Sequence, residues 1–477
     1  MRDQCPARFP GISCPLSFIL ALTCWLLPSA QAADKNQNAA DRQSHSKPNI
    51  IVILADDLGY GDLGCYGQRK IKTPHLDKMA AEGMRFTQAY AGCTVCAPSR
   101  SSLMTGQHTG HTRIRGNARH PLAAEDLTVA ELLKSAGYGT GLFGKWGLGE
   151  AGSSGSPIRQ GFDEFFGYFN QRHAHNYYPS YLWRNEQRVP LRNTVSNEDA
   201  EGAGVAIQRL DYSHDLLARE ALDFVDRHRD KPFFLYLALT IPHANNEAKA
   251  KGMEVPSDAP YSGEPWPEPE KNKAAMITRM DADIGRLMAK LKELKLDERT
   301  IAFFSSDNGP HKEGGNDPMF FNSSGPLRGI KRDLTEGGIR VPMIVRWPGR
   351  IKPGAVSDRV WAFWDFLPTV AEIAGVKPPK NIDGRSMLPT LMGRWQRQPP
   401  FLYWEFHERG FNQAVRMGDW KGIRLAPGRP LELYDLKRDI GETNNLAAVR
   451  PGIVRRIESH LKTARTESEL WPIKRAQ

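Results

Sequence analysis

Three stretches of the chain are apolar almost without interruption, and each runs directly into polar turn residues. Asn49-Ile-Ile-Val-Ile-Leu-Ala55 leads to Asp56-Asp57-Leu58-Gly59, Pro232-Phe-Phe-Leu-Tyr-Leu-Ala-Leu239 to Thr240-Ile241-Pro242-His243, and Thr300-Ile-Ala-Phe-Phe-Ser-Ser306 to Asp307-Asn308-Gly309. Short apolar runs without alternation read as strands buried on both faces. Between them the spacing turns helical. Leu127 to Ala136 has Thr128 as N-cap, Glu131 three residues on and Gly137 as a stop, while 212–229 and 273–294 are longer amphipathic helices. Alternating strands and helices predict an α/β fold with a mostly parallel central sheet flanked by helices. Such sheets bind ligands at the carboxyl ends of their strands, where the polar residues sit here.

The texture changes after about residue 375. Phe401–Glu405, Gln413–Arg416, Trp420–Arg424 and Glu432–Asp435 predict an antiparallel meander, and a helix from Ile453 to about Thr463 would pack on it. The expected organisation is a catalytic unit over 48–375 and a C-terminal subdomain over 376–477, a smaller antiparallel sheet plus helix. At the other end, Arg2 and Arg8 precede an apolar run from Leu16 to Leu27 and an Ala30-Gln31-Ala32 cleavage site, the layout of a signal peptide over 1–32. A spanning helix needs about 20 apolar residues, more than this run supplies. Residues 33–47 are polar and read as a linker. The mature chain is therefore expected to be exported, periplasmic or extracellular, with no integral membrane segment after cleavage.

Composition narrows the class. With 40% hydrophobic and 25% charged residues over 477 positions, this is an ordinary globular protein. The formal charge is +10, and +9 once Arg2, Arg8 and Asp3 leave with the leader, which draws anionic substrates in. No basic run is interleaved with aromatics, so nucleic acid is not the expected partner. Cys5, Cys14 and Cys24 also leave with the leader. Cys65, Cys93 and Cys96 make no disulfide framework, and an odd count in an exported protein asks for a special role for one of them.

Asp56, Asp57, Asp307 and Asn308 place four oxygen side chains at the ends of two buried strands, and oxygen ligands suit Ca2+ or Mg2+ rather than zinc. Asp-Asp-Leu-Gly or Asp-Asn-Gly alone is a common turn sequence. The pair, each following a core strand, reads as a metal site. A second signal is Cys93-Thr-Val-Cys96-Ala-Pro98-Ser99-Arg100-Ser-Ser-Leu103-Met-Thr105-Gly106, where Pro98 suits the first turn of a helix and puts Cys96 at its start, a position that stabilises anions. Cys93-x-x-Cys96 also has the spacing of a redox pair or half a zinc site, but no second ligand pair accompanies it. Cys96-x-Pro98-Ser99-Arg100 with Leu103-x-Thr105-Gly106 resembles the signature of the type I, formylglycine-dependent, arylsulfatase-like sulfatases.

The resemblance extends over most of the chain from Pro48 onward. It implies an alkaline-phosphatase-like fold and a sulfuric ester hydrolase in which a formylglycine-generating enzyme oxidises Cys96 to formylglycine (3-oxoalanine), whose hydrate is the nucleophile. It further implies that Asp56, Asp57, Asp307, Asn308 and residue 96 hold Ca2+, and that Arg100 orients the hydrate. Lys145, in Gly144-Lys145-Trp146, and Lys331, in Gly329-Ile330-Lys331, would bind the sulfate, and His243 would face the leaving oxygen. The roles are chemically sound: fixed cations stabilise charge on sulfuryl oxygens, and a histidine can protonate a departing alkoxide.

One position departs from the family pattern. Gly-Lys-Trp-His-Leu-Gly is replaced by Gly144-Lys145-Trp146-Gly147-Leu148-Gly149, so the histidine assigned to the second deprotonation is missing. His173 and His175 are expected to reach the same space, His175 as a substitute base and His173 as a substrate contact, unless they are incidental members of an aromatic surface loop. Asn117 is a further candidate to line the pocket. Tyr168, Tyr177, Tyr178, Tyr181 and Trp183 suit stacking on sugar rings, or a packed core. The 244–271 insert with Trp266 reads as a lid or as a plain surface loop. A sulfated carbohydrate, such as a polysaccharide fragment, is the expected substrate by analogy. Two other functions fit the motifs: a phosphodiesterase or phosphonate hydrolase of the same superfamily, and a sulfated-glycan-binding protein that has lost turnover at Gly147.

Overall fold

The computed structural model describes residues 47–473. The expected signal peptide, and all but the last residue of the expected linker, lie outside the described residues. The three apolar runs are strands, Asn49–Ala55, Phe233–Ala238 and Thr300–Ser306, with every residue buried. Asn49–Ala55 lies between the other two and pairs with both in parallel, Ile50 facing Phe234 and Ile301. Gly139–Lys145 and Glu164–Tyr168 continue the parallel set beyond Phe233–Ala238. Side chains alternate between two covered faces, which is why the runs show no polar alternation. Ile51 and Ile53 pack with Phe224, Met280 and Ile284, whereas Ile50, Val52 and Leu54 pack with Leu103, Leu133 and Leu367.

Arg340–Arg346 pairs antiparallel with Thr300–Ser306 and with Met84–Tyr90, and a hairpin of Tyr181–Arg184 and Gln187–Pro190 forms the other edge of an eleven-stranded, mostly parallel sheet. Val129–Ser135 has the full capping box, Thr128 Oγ1 accepting from Glu131 N and Glu131 accepting from Thr128 N. The helix expected from residue 273 starts earlier, at Glu268, where a proline in the first turn and Glu268 and Glu270 suit a helix N-terminus. Among the described residues no helix is long and apolar enough to cross a membrane.

Leu402–Phe406, Asn412–Met417, Trp420–Arg424 and Glu432–Asp435 form a separate antiparallel sheet in sequence order, followed by the helix Pro451–Leu461. A buried ionic hub joins it to the main sheet. Glu336 accepts from Tyr90 Oη at 2.6 Å, Lys421 Nζ at 2.9 Å and Arg340 Nη1 at 3.1 Å, and its own N–H donates to Glu442 Oε2 at 2.7 Å. Burial alone would raise the Glu336 carboxyl, but Lys421 and the two arginines Arg340 and Arg416 hold it at about 2.

Candidate functional site

The parallel strands deliver their polar tails side by side. Asp56 N donates to Ile241 O and Asp307 N donates to Ala55 O, each at 3.0 Å, so the three loops leave the sheet in a fixed register. Asp57 adopts a positive φ of 66°, and its N–H is held by Asp307 Oδ1 at 3.1 Å. Against these loops stands the helix Cys96–Thr105, all ten residues of it buried, with Cys96 in its first turn. Asn117 Oδ1 accepts from Ala97 N at 3.0 Å and so satisfies one of the free amides at the helix start. The Cys96 thiol points at Asp56, Sγ to Oδ1 3.2 Å.

Three carboxylates and three cations interlock around that thiol. Lys145 Nζ is 2.7 Å from Asp56 Oδ2, Lys331 Nζ is 2.7 Å from Asp57 Oδ2, and Arg100 donates through Nε and Nη2 to Asp307 Oδ2 at 3.0 and 2.9 Å. Arg100 Nη1 also donates to Lys145 O at 2.6 Å, tying the Cys96–Thr105 helix to the end of the strand Gly139–Lys145. Burial opposes ionisation throughout. Lys145 nonetheless leads the surrounding cations in holding Asp56 well below the usual carboxylate range. Burial, with the charge of Asp56, pushes Asp307 up to about 7. Burial also raises the Cys96 thiol well above its ordinary value, with Asp307 and Asp56 adding to the rise. An unmodified Cys96 is therefore uncharged at neutral pH, and a neutral thiol is a weak nucleophile.

The donor set fits a hard cation. Asp56, Asp57, Asp307 and Asn308 supply oxygens, Asn308 Oδ1 is buried without a hydrogen-bond partner, and donor atoms of Asp56, Asp57, Cys96 and His243 lie within 4.8 Å of one another. Three carboxylates against Arg100, Lys145 and Lys331 leave the shell close to neutral. A divalent ion there would make it a receptor for an anionic ester.

His243 is held by both ring nitrogens. Nδ1 donates to Ala244 O at 2.7 Å, so Nε2 accepts from Lys331 Nζ at 3.0 Å. Burial first, and Lys331 next, keep the ring's proton affinity well below that of a free histidine. His175 stacks on it with centroids 4.9 Å apart and planes 11° from parallel, and donates through Nδ1 to Glu247 Oε2 at 3.1 Å.

His173 goes elsewhere. Its ring is buried between Tyr168 and Tyr181, Nε2 meets Tyr181 O at 3.1 Å, and burial pushes its pKa down to about 3. The structure thus gathers Asp56, Asp57, Cys96, Arg100, Lys145, His243, Asp307, Asn308 and Lys331 in one centre, with Asn117 and His175 on its border and His173 outside it. Tyr168, Tyr177 and Tyr178 are buried core, while Tyr181 and Trp183 are half-buried. Trp266 packs on Tyr261, Phe320 and Phe321, and from the same insert Glu247 reaches His175. Cys65 and Cys93 are unpaired.

Sequence reasoning passed over three residues. His311 lies with its ring centroid 5.9 Å from that of His243, and Glu313 lies 3.5 Å from Lys331. Both follow Asp307-Asn308-Gly309 directly, and that adjacency was the available signal. Gln171 fills the space beside Gly147: a Cβ at 147 would lie 2.4 Å from Gln171 Nε2, and φ there is +80°. A cavity of about 180 Å³ opens at this point, lined by Asn117, Arg119, His120, Gly147, Phe169 and Arg172 among others.

What the strand ends gather suits one kind of chemistry, the hydrolysis of an ester whose acid is a tetrahedral oxyanion. The model of the sulfatase family matches residues 48–376, and the chain belongs to that family as a sulfuric ester hydrolase. The C-terminal model of N-sulphoglucosamine sulphohydrolase matches residues 330–467. Pig N-acetylgalactosamine-6-sulfatase is 34% identical over 385 residues, 75% of this chain and 68% of that protein. The N-acetylgalactosamine-6-O-sulfatase of Bacteroides thetaiotaomicron is 30% identical over 503 aligned positions, 89% of this chain and 94% of that protein. Among solved structures, Ps i-CgsB in complex with k-i-k-neocarrahexaose superimposes with a TM-score of 0.75 at 27% identity, covering 90% of this chain and 95% of that one.

Proposed function

We propose that this protein removes sulfate from a carbohydrate ester, using residue 96 after oxidation of Cys96 to formylglycine, with Ca2+ held by Asp56, Asp57, Asp307, Asn308 and residue 96. The observation that carries the reading is the position of Cys96 at a helix start, 3.2 Å from a carboxylate of the oxygen cluster and charge-coupled to both Lys145 and Lys331. The two absent groups would supply a gem-diol, one hydroxyl to attack sulfur and the other to expel sulfate on deprotonation, and a divalent charge to polarise the sulfate.

The remaining work belongs to the chain's own residues. Lys145 and Lys331 bind the non-bridging oxygens as charge builds on them, and Arg100 fixes Asp307 and the strand end that carries Lys145. His243 faces the leaving oxygen through Nε2 and, once protonated there, donates to the departing alkoxide. The second deprotonation, which lacks the family histidine at Gly147, is assigned to His175. The cavity beside Gly147 accepts the sugar, with Asn117 on its wall. A carbohydrate substrate is supported by the names of relatives, two of which are N-acetylgalactosamine sulfatases. Residues 1–32 are taken as an export leader, 48–375 as the catalytic unit and 376–477 as the C-terminal subdomain.

Peptide mass spectrometry across Cys96 of the native, exported protein tests the reading, together with turnover of an aryl sulfate and an aryl phosphonate. Loss of the thiol with gain of an aldehyde, and preference for the sulfate, are expected. An intact cysteine refutes the nucleophile. Preference for the phosphonate moves the enzyme to the phosphonate hydrolases, and full conversion without turnover of sulfate esters leaves a glycan-binding protein.

A further inference from the structure

A second surface rich in cations lies away from Cys96. The segment between Leu388–Leu391 and the first strand of the small sheet contains Arg394-Trp395-Gln396-Arg397. Trp395 is 83% exposed, and it is the only aromatic side chain among the exposed large apolar residues described. An exposed indole offers a flat apolar face on which a sugar ring can stack. Here the Arg359 guanidinium lies 5.7 Å from its ring centroid and leaves the opposite face open.

Arg359, Arg385 and Arg397 line a shallow groove beside this segment, which continues past Val360, Gln398 and Pro399 into a hollow of about 160 Å³ where Arg416 stands with Asp358 and Asp419. On the far side of Arg385 a shallow hollow holds Lys377 and Lys380, with Glu372 on its margin. Several arginines of the fold are matched by carboxylates, as Arg340 is by Glu336, Arg346 by Asp297 and Arg424 by Glu458. On this surface, among the described residues, Arg359, Arg385, Arg394 and Arg397 have no carboxylate partner. Asp365, the acid that lines the groove, is already used by the backbone N–H groups of Ala362 and Arg385. Arg359 Nη2 and Gln398 Oε1 are buried with no hydrogen-bond partner at all. Clustered like charges without partners repel one another, and a bound polyanion relieves that repulsion.

The surface is separate from the catalytic centre. Gly384, next to Arg385, donates to Gly106 O at the far end of the helix that begins at Cys96, and ten helical residues span about 15 Å. We propose that this surface is a second binding site for a sulfated polysaccharide, with Trp395 stacking on a sugar ring and Arg359, Arg385, Arg394 and Arg397 taking its sulfate groups. It holds the polymer while an ester elsewhere on the chain is processed. The proposal extends the carbohydrate reading above, but it concerns binding rather than turnover, so the two can fail separately.

The test measures retention of the full-length protein on immobilised heparin and iota-carrageenan, with single-stranded DNA and phosphatidylserine vesicles in parallel. Trp395→Ala and the triple variant Arg359→Ala, Arg394→Ala, Arg397→Ala should each weaken binding to a sulfated polymer roughly tenfold. Trp395→Phe should keep most of it. Melting temperature and turnover of a small aryl sulfate should not change, since these positions lie outside the catalytic centre. Wild-type affinity in either alanine variant, no retention of the wild type on either polymer, or equal retention on DNA or vesicles overturns the proposal.

Discussion

Replacing Lys331 by methionine keeps the length of the side chain and removes its charge, which makes it the sharpest probe of the centre. In the intact site Nζ stands 3.0 Å from His243 Nε2, and Asp57 Oδ2 stands 3.5 Å from the same nitrogen. At an effective permittivity of about 20, the lysine raises the free energy of a protonated His243 by about 5.5 kcal/mol and Asp57 lowers it by about 4.7 kcal/mol. The two nearly cancel, so burial decides and the ring stays neutral. Without the lysine that repulsion is gone, whatever the charge of an ion held by Asp57. Even if water entering the cavity screens the lost repulsion fourfold, His243 becomes more basic by about one pKa unit. The limb of the kcat/KM–pH profile governed by His243 should therefore move to higher pH by at least that amount. Loss of a fixed cation at the sulfuryl oxygens should also lower kcat by about 10²–10³-fold. The assay is turnover of 4-nitrophenyl sulfate against pH, on protein whose residue 96 has been checked by mass. A kcat within tenfold of wild type and an unmoved limb would refute the assignment of Lys331 and His243 to one reacting centre.

Three further outcomes follow from named contacts. Glu336→Gln should lower stability by about 3 kcal/mol in denaturant melts, because it strips buried Lys421 and Arg340 of a counter-ion. The Glu336 carboxyl is depressed from an ordinary 4.5 to about 2. Its contribution is thus complete above pH 4.5 and lost as pH falls through 2, so the gap between wild type and Glu336→Gln should narrow across that window. Gly147→Ala, at φ +80° with its Cβ 2.4 Å from Gln171 Nε2, should cost about 1–2 kcal/mol, part of which Gln171→Ala restores. Equal stability of Gly147→Ala and wild type would show that the backbone is not held as described. Chelation by EGTA should lower the melting temperature, and Ca2+ at a hundred times its Kd should restore about 2.7 kcal/mol. That increment should vanish in Asn308→Ala, and a melting curve indifferent to EGTA would argue against the ion.

Much of this was legible in the residues because the strongest signals were local. Unbroken apolar runs marked Asn49–Ala55 and Thr300–Ser306 to the residue, since burial on both faces leaves no room for polar alternation. The capping box at Thr128 and Glu131 is likewise written in adjacent positions. The ring of Asp56, Asp57, Asp307 and Asn308 was readable because both pairs follow core strands. Contacts between distant segments were not legible. Nothing in the spacing pairs Lys331 with Asp57, 274 positions away, or brings both His311 and His175 to His243. His173 and His175 look equivalent in sequence, yet a two-residue step in a tight turn sends one between tyrosines and the other to the centre. The glycine at 147 announced a missing side chain but could not reveal that Gln171 fills its space.

The ionic hub at Glu336 also sets a clock. By the time residue 376 has been synthesised, every proposed ligand and both lysines proposed to bind sulfate exist. The turn that follows Lys331, however, still lacks Lys421 and Glu442, the late-arriving charges that pin Glu336 from behind. Until they emerge, Glu336 has Tyr90 and Arg340 but not the lysine that meets it from the second sheet. A chain clipped before Lys421 would hold all of the proposed reactive groups yet lack the ion pair that joins the two sheets behind them.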